Sequence, residues 1–167
     1  TIYTISINIH ILNHKSNYNP HINQLLINSN PYISDTRTNT ESRKLIEKAW
    51  HFAKEAHGDQ KRLSGELHFD GHVAIVAQYL AEAGMDVQTV CAALLHDTVE
   101  DTDIPIEIIK EEFGDDIAFL VEGVTKLGKL KYRGLERHVE SLRRLLVATA
   151  SDIRVIIIKL YDRLHNM

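Results

Sequence analysis

The chain has 167 residues, of which 44% are apolar and 25% charged, and its formal net charge is −4. This length supports one domain with a real core, and the composition is that of a globular protein. The acidic balance excludes the basic footprint of a nucleic-acid-binding protein. The single cysteine, Cys91, excludes an internal disulfide and a thiolate zinc cluster and favours a reducing, cytoplasmic setting. No apolar run approaches the roughly 20 residues of a membrane span, so we expect neither a membrane nor a nucleic-acid partner.

Residues 1–39 differ in composition from the rest, since they are rich in Asn, Ile, Ser and Thr and almost free of acids. Residues 1–12 alternate as a strand would, but no partner strand is evident downstream. We therefore predict a poorly ordered N-terminal arm over 1–39, with a short helix over 22–27, and a folded domain over 40–167.

The pattern of the folded domain is helical from its start. Thr38 and Glu41 have the spacing of a capping box, and Gly58 is a suitable end for the helix that follows. A second helix is predicted over residues 74–83, ending at Gly84. Residues 87–95 are nearly all small and apolar after their first positions, which predicts a buried central helix.

The second half of the domain continues in the same way. Pro105 suits the first position of a helix, and Asp115 opens another. Residues 135–150 are amphipathic. Residues 151–167 begin with β-branched residues typical of a strand, but an apolar stripe at helical spacing favours a buried helix, through Leu160 and Leu164. Because no convincing strand follows residue 40, we predict a compact all-α bundle.

The most unusual stretch is residues 94–103, Leu-Leu-His-Asp-Thr-Val-Glu-Asp-Thr-Asp. In a helix, His96 and Glu100 share one face, and Asp97 and Asp101 share the adjacent one. Carboxylates crowded at a helix end repel one another, and a bound cation removes that repulsion. The alternative is a polar helix end with solvated acids.

Two further residues are candidate ligands of such a cation. His72 is expected to open the helix before the central one, and Asp162 lies on the final helix. With His96 and Asp97 they make a nitrogen and oxygen set without sulfur, which suits Mn²⁺, Fe or Zn²⁺ in an open hydrolytic site. Alternatively, His72 caps a helix and Asp162 pairs with a neighbouring cation.

Several segments together resemble one family, the hydrolase domain of the RelA/SpoT homologues, within the HD superfamily of metal-dependent phosphohydrolases. The matching segments follow family order over residues 43–167: 62–66, 72, 95–102, 123–128, 152–155 and 159–167. The resemblance implies an all-helical HD-domain bundle. It also implies Mn²⁺-dependent hydrolysis of guanosine tetra- and pentaphosphate, the stringent-response alarmones, with release of pyrophosphate from the 3′ position.

The resemblance also implies a role for individual residues. The metal ligands are His72, His96, Asp97 and Asp162. The pair that positions or activates water is Glu100 and Asp101. The substrate-binding residues are Arg62 and Ser64 at the guanosine end and Asn166 along the nucleotide, and Lys126 is a candidate phosphate partner.

Two departures from the family pattern qualify this reading. The loop between Ser64 and His72 is one residue longer than in the family, which makes His68 a rival ligand. We prefer His72, because its distance to His96 fits the family. The chain also stops at Met167, where the family continues, so we expect a domain truncated at its C-terminus.

Two other functions remain open at this point. One is a related phosphohydrolase that acts on another nucleotide, such as an NADPH 2′-phosphatase or a dNTP hydrolase. The other is a non-catalytic regulatory HD domain that binds nucleotide without turnover. The intact His96-Asp97 and Glu100-Asp101 pairs favour catalysis over the second alternative.

Overall fold

The structure is a computed structural model that describes residues 36–128 and 152–167, with side chains from residue 40 onward. All its regular secondary structure is helical, apart from an isolated antiparallel bridge between Lys61 and Leu67. The helices are α1 Thr36–His57, α2 Ala74–Glu82, α3 Val87–Leu95, α4 Thr98–Asp101, α5 Ile106–Phe113, α6 Asp115–Gly128 and α7 Ile153–Asn166, and a π-helical turn, Phe69–Val73, leads into α2. The predicted all-α fold is confirmed.

The central helix is α3, as its apolar run predicts. Every residue of α3 except Gln88 is buried, and the helix packs against α1, α2 and α6. Asp86 caps its N-terminus by accepting a hydrogen bond from the amide of Thr89 at 2.8 Å. Because α3 is fixed along its whole length, its last turn provides a rigid support for the residues that follow it.

Arg154 ties the beginning of α7 to α6. Its Nη2 lies 2.7 Å from Asp152 Oδ2 and 2.9 Å from Asp116 Oδ1, and its Nη1 lies 3.6 Å from Asp86 Oδ2. Asp152 is also the N-cap of α7, since it accepts a hydrogen bond from the Arg154 amide at 2.9 Å. This cluster fixes the position from which α7 crosses the bundle.

Three predicted helix boundaries need correction. Helix α1 begins at Thr36, so Thr38 lies inside it, because Thr and Glu three apart fit a helix interior as well as its start. Pro105 is the N-cap of α5 rather than its first residue, since its ψ is 155°. His72 does not open a helix but lies within the π-helical turn. The predicted ends at Gly58 and Gly84 hold, and both glycines have positive φ.

The predicted buried face of the last helix is also wrong in part. Leu160 and Leu164 are 59% and 62% exposed, whereas Val155, Ile158 and Asp162 are buried. Helical spacing is satisfied by apolar residues on two faces of α7, and packing on α6 selects the face that carries Asp162. The predicted features over 1–35 and 135–150 lie outside the described residues.

The stretch from Leu94 to Asp101 is not one continuous helix. α3 ends at Leu95, a turn follows at 96–97, and α4 starts at Thr98. The His96 side chain lies at the break. Its Nδ1 is 2.6 Å from the carbonyl of Ala93, the acceptor that the amide of Asp97 would use if the helix continued. Among the described helices, none combines the length and apolarity needed to cross a bilayer.

Candidate metal centre and active site

The four predicted ligands lie close together. His72 Nε2 lies 3.2 Å from Asp162 Oδ1 and 3.4 Å from Asp97 Oδ2. His96 Nε2 lies 3.1 Å from Asp97 Oδ1 and 4.0 Å from Asp162 Oδ1. His72, His96 and Asp162 are buried. The π-helical turn, the end of α3 and the middle of α7 therefore bring together two imidazoles and two carboxylates.

The state of His96 fits a bound cation. Its Nδ1 donates to the carbonyl of Ala93, so the neutral form of the ring presents a lone pair at Nε2. This Nε2 is buried and has no hydrogen-bond partner among the described residues, which costs free energy unless something binds it. Ligand bonds of about 2.1 Å place neighbouring donor atoms roughly 3.0–3.4 Å apart, close to the separations in this cluster. The donor set thus suits a divalent metal.

The two carboxylates are ionised at neutral pH. Burial alone would raise the pKa of Asp97, but the surrounding imidazoles, of which His96 acts most strongly, hold it well below its usual range. Burial likewise opposes ionisation of Asp162, yet hydrogen bonds from His72 and Lys159 lower its pKa to about 2. The Nζ of Lys159 lies 2.8 Å from Asp162 Oδ2. Both oxygen ligands are therefore available without loss of a proton.

His72 is held in place by the π-helical turn. The amide of Ala74 donates to the carbonyl of Phe69, five residues earlier, so this turn takes one residue more than an α-helical turn. Phe69 is buried and packs edge-to-face on Trp50 of α1, with ring centroids 4.9 Å apart. The one-residue excess noted between Ser64 and His72 can be absorbed in this turn, which keeps His72 directed at α7.

His68, the rival ligand, lies beside the cluster rather than in it. Its Nε2 is 3.0 Å from Asp97 Oδ2 and 3.7 Å from Asp101 Oδ2. Ligand atoms of His72, His96 and Asp162 all lie within 4.8 Å of one another, whereas those of His68 satisfy this limit with Asp97 and Asp101. Both groups could hold a metal ion, and by this limit Asp97 belongs to the group of His68. The group that contains His72 is fully buried, whereas Asp101 in the other group is exposed.

Glu100 has the environment of a proton acceptor. Its Oε1 is buried and has no hydrogen-bond partner among the described residues, and burial raises the pKa of its carboxyl. Gly128, at the end of α6, lies against it, and a Cβ there would stand 2.8 Å from Glu100 Oε2. Asp101 is more exposed and faces His68. A carboxyl with a raised pKa suits general acid-base chemistry near neutral pH.

Two predicted substrate residues adjoin the cluster. Arg62 donates to the carbonyl of Gly71 at 3.1 Å and to Asn166 Oδ1 at 2.9 Å. Asn166 in turn donates from Nδ2 to Asp162 Oδ1 at 2.7 Å. Arg62 thus contacts Asn166, and Asn166 contacts the predicted ligand Asp162.

The other two predicted substrate residues make no described contact with the cluster. Ser64 is exposed in the loop that the bridge between Lys61 and Leu67 closes. Lys126 is exposed on α6, where its Nζ pairs with Glu122 at 2.8 Å.

Sequence reasoning missed three residues of this site. His165 Nδ1 lies 2.9 Å from His72 Nδ1, and burial, with the charges of His72 and Arg62, lowers the pKa of His165. Lys159 pairs with Asp162, and Gly128 makes room for Glu100. Only Lys159 had a local signal, because it lies three residues before Asp162 on a helix. The other two contacts join distant parts of the chain.

Comparison with known proteins agrees with the motifs. The family model described as "HD domain" matches residues 49–167. Over 122 residues the chain is 56% identical to a protein of Aquifex aeolicus named guanosine-3′,5′-bis(diphosphate) 3′-pyrophosphohydrolase, covering 73% of this chain and 17% of the relative.

Two other relatives carry related names. The bifunctional (p)ppGpp synthase/hydrolase SpoT of Escherichia coli K12 is 46% identical over 125 residues, covering 74% of this chain and 18% of its own. A Streptomyces coelicolor protein named GTP pyrophosphokinase is 45% identical over 152 residues, covering 90% and 17%. The chain thus spans less than a fifth of the length of these relatives. The resemblance to the RelA/SpoT homologues is confirmed.

Proposed function

Because this chain belongs to the HD domain family, we propose that it hydrolyses guanosine tetra- and pentaphosphate to GDP or GTP, releasing pyrophosphate from the 3′ position. The observation that carries the proposal is the buried cluster of His72, His96, Asp97 and Asp162, in which His96 Nε2 has no hydrogen-bond partner among the described residues. Relatives named for 3′-pyrophosphohydrolysis support the substrate. The catalytic domain is residues 40–167, and the single cysteine fits action in the cytoplasm.

The four cluster residues would hold Mn²⁺ or a similar divalent cation. When bound, such a cation lowers the pKa of water and neutralises charge on phosphoryl oxygens. Lys159 keeps Asp162 ionised, and Asn166 orients its Oδ1. Lys159 and Asn166 thus keep Asp162 in the charge state and orientation that a cation requires.

Glu100 is assigned the proton transfer. Its Oε1 takes a proton from the attacking water, whose oxygen forms a bond to the phosphorus attached to the 3′ oxygen. The bond between that phosphorus and the 3′ oxygen breaks, and the protonated Glu100 returns its proton to the departing oxygen. The raised pKa of Glu100 suits both transfers. Asp101, beside it, helps to orient the water.

The test is pyrophosphate release from guanosine tetraphosphate, with Mn²⁺ and with a chelator. We expect Mn²⁺-dependent turnover that Asp97→Ala abolishes. Asp103→Ala is the matched control, since it removes an exposed aspartate from the same segment and is expected to leave turnover unchanged. Full turnover of Asp97→Ala would refute the site, and hydrolysis of NADPH or a dNTP in place of the alarmone would refute the substrate.

A thermal unfolding series supplies an independent readout. A ligand that binds only the folded state at 100 times its Kd adds about 2.7 kcal/mol to stability. We expect Mn²⁺ to raise the melting temperature of the wild type and not that of Asp97→Ala. An unchanged wild-type melting temperature at saturating Mn²⁺ would argue against a metal site.

A further inference from the structure

His72 has a second contact, on the side of its ring opposite the carboxylates. While Nε2 faces Asp97 and Asp162, Nδ1 lies 2.9 Å from Nδ1 of His165. The two ring centroids are 5.0 Å apart. Two imidazole nitrogens at this distance share one proton, so one of them donates and the other accepts.

Arg62 decides which nitrogen accepts. Its Nη1 lies 3.3 Å from Nδ1 of His165. A guanidinium has only donors, so the nitrogen that faces it must present a lone pair. Because His165 Nδ1 then carries no proton, it cannot donate to His72. The donor in the pair of imidazoles is therefore Nδ1 of His72.

This direction of the hydrogen bond has a consequence at the cluster. If a cation takes the place of the proton on Nε2, a histidine that keeps its other proton on Nδ1 has its lone pair on Nε2, which is the nitrogen directed at Asp97 and Asp162. We propose that His165, held by Arg62, is a positioning residue that fixes the tautomer and ring orientation of His72 so that Nε2 is presented to the divalent cation. This inference rests on the metal centre assigned under the proposed function.

The same guanidinium supports a second ligand. Arg62 Nη2 donates to Asn166 Oδ1, which turns the amide nitrogen of Asn166 toward Asp162 Oδ1, at 2.7 Å. Arg62 is 103 residues from His165 and 104 from Asn166 along the chain, so it fastens the 58–67 loop to α7. Arg62 therefore acts on the metal centre through two intermediaries, in addition to any contact with guanosine.

The experiment measures the Kd of Mn²⁺ for the metal-free protein by electron paramagnetic resonance, without nucleotide. His165→Phe keeps a ring and removes the acceptor, whereas His165→Asn keeps an acceptor near the position of Nδ1. We expect a loss of affinity of about 10- to 100-fold for His165→Phe, the range found for residues that orient metal-binding histidines. His165→Asn should restore most of the affinity. His51→Phe, at an exposed position of α1, is the control and should bind as the wild type does.

Arg62→Gln separates the two roles of Arg62. If Arg62 only held guanosine, Mn²⁺ affinity in the absence of nucleotide would not change. We expect it to fall, because both His165 and Asn166 lose their donor. Unchanged affinity for Arg62→Gln would remove Arg62 from the proposal.

Nitrogen-15 NMR of the wild type tests the tautomer without any substitution. In the Zn²⁺-loaded protein, which is diamagnetic, we expect the His72 proton on Nδ1 and the metal on Nε2. Metal on Nδ1, wild-type affinity in His165→Phe, equal losses in both His165 variants, or a wild type that binds no divalent cation would each overturn the inference. A wild type that binds metal through Nε2 but releases no pyrophosphate would refute the proposed function alone.

Discussion

Replacement of Gly128 by alanine should damage catalysis without unfolding the protein. A Cβ at this position would lie closest to Glu100 Oε1, and it would lie 2.8 Å from Oε2 and 2.9 Å from Cδ of the same side chain. Gly128 does not have positive φ, so the backbone accepts alanine, and alanine is favoured over glycine in a helix by about 0.5–1 kcal/mol. The clash therefore displaces the Glu100 carboxylate and does not lower the stability of the fold.

The size of the effect follows from the displacement. Ordinary contact begins near 3.4 Å, so the carboxylate must retreat by at least about 0.5 Å. A misplacement of about 1 Å in a catalytic group can cost about 100-fold in rate. We expect kcat for alarmone hydrolysis to fall roughly 10- to 100-fold. Removal of the carboxylate altogether in Glu100→Gln should cost more, about 10²- to 10⁴-fold.

Gly123→Ala is the matched control on the same helix. Its Cβ would lie 2.8 Å from Val155 Cγ2, a clash of similar size against a core methyl group. Overpacking of this kind costs about 1–3 kcal/mol of stability. We expect Gly123→Ala to lower the urea midpoint and largely keep kcat. Gly128→Ala should lower kcat and largely keep the urea midpoint. Wild-type kcat in Gly128→Ala would refute the role given to Glu100.

Three other outcomes are expected. His72→Ala should abolish Mn²⁺ binding, measured by equilibrium titration, whereas His68→Ala should weaken this binding by no more than about tenfold. The opposite order of the two variants would make His68 the ligand. Cys91 is buried and burial raises the pKa of its thiol, so a disulfide reagent should modify it only after unfolding; rapid reaction of the native protein would contradict this. Hydrogen bonds from Arg154 hold the pKa of Asp152 below its usual value. The charge of Asp152 therefore stabilises the fold fully at pH values above its unfolded pKa of about 3.9, and this stabilisation is lost as the pH falls through the folded pKa. Asp152→Asn keeps the cap acceptor but not the charge, so its urea midpoint should lie below that of the wild type at pH 7 and approach it in acid, and parallel curves would count against this.

The parts of the fold that local sequence determines were predicted well. The apolar run of α3 and the glycines after α1 and α2 carry their information within a few residues. The buried face of α7 was not predictable in this way. Leu160 and Leu164 fit a helical stripe as well as Val155 and Ile158 do, and only packing against α6 distinguishes the two faces.

In the site, too, some features follow from local sequence and others from contacts between distant segments. Residue types and family order suffice to propose four ligands, because imidazoles and carboxylates are what such a metal requires. The residues that orient those ligands are not chemically special in the sequence. His165 acquires its role from a contact with His72 across 93 residues, and Gly128 from a contact with Glu100 across a helix pair. Spacing carries no information about such contacts.

The choice between His68 and His72 shows why spacing alone could not decide the ligand. The two rings are 5.4 Å apart and both face Asp97 Oδ2, at 3.0 Å and 3.4 Å. Their distances to Asp97 therefore do not distinguish one imidazole from the other as a ligand. Within the described part of the chain, His72 is the one of the two that also reaches Asp162, on a helix that begins 81 residues later. His72 also contacts His165, which we propose fixes its proton. On the proposed assignment α7 selects the ligand, because a metal site requires donors that converge from several elements and not merely donors that are close in sequence.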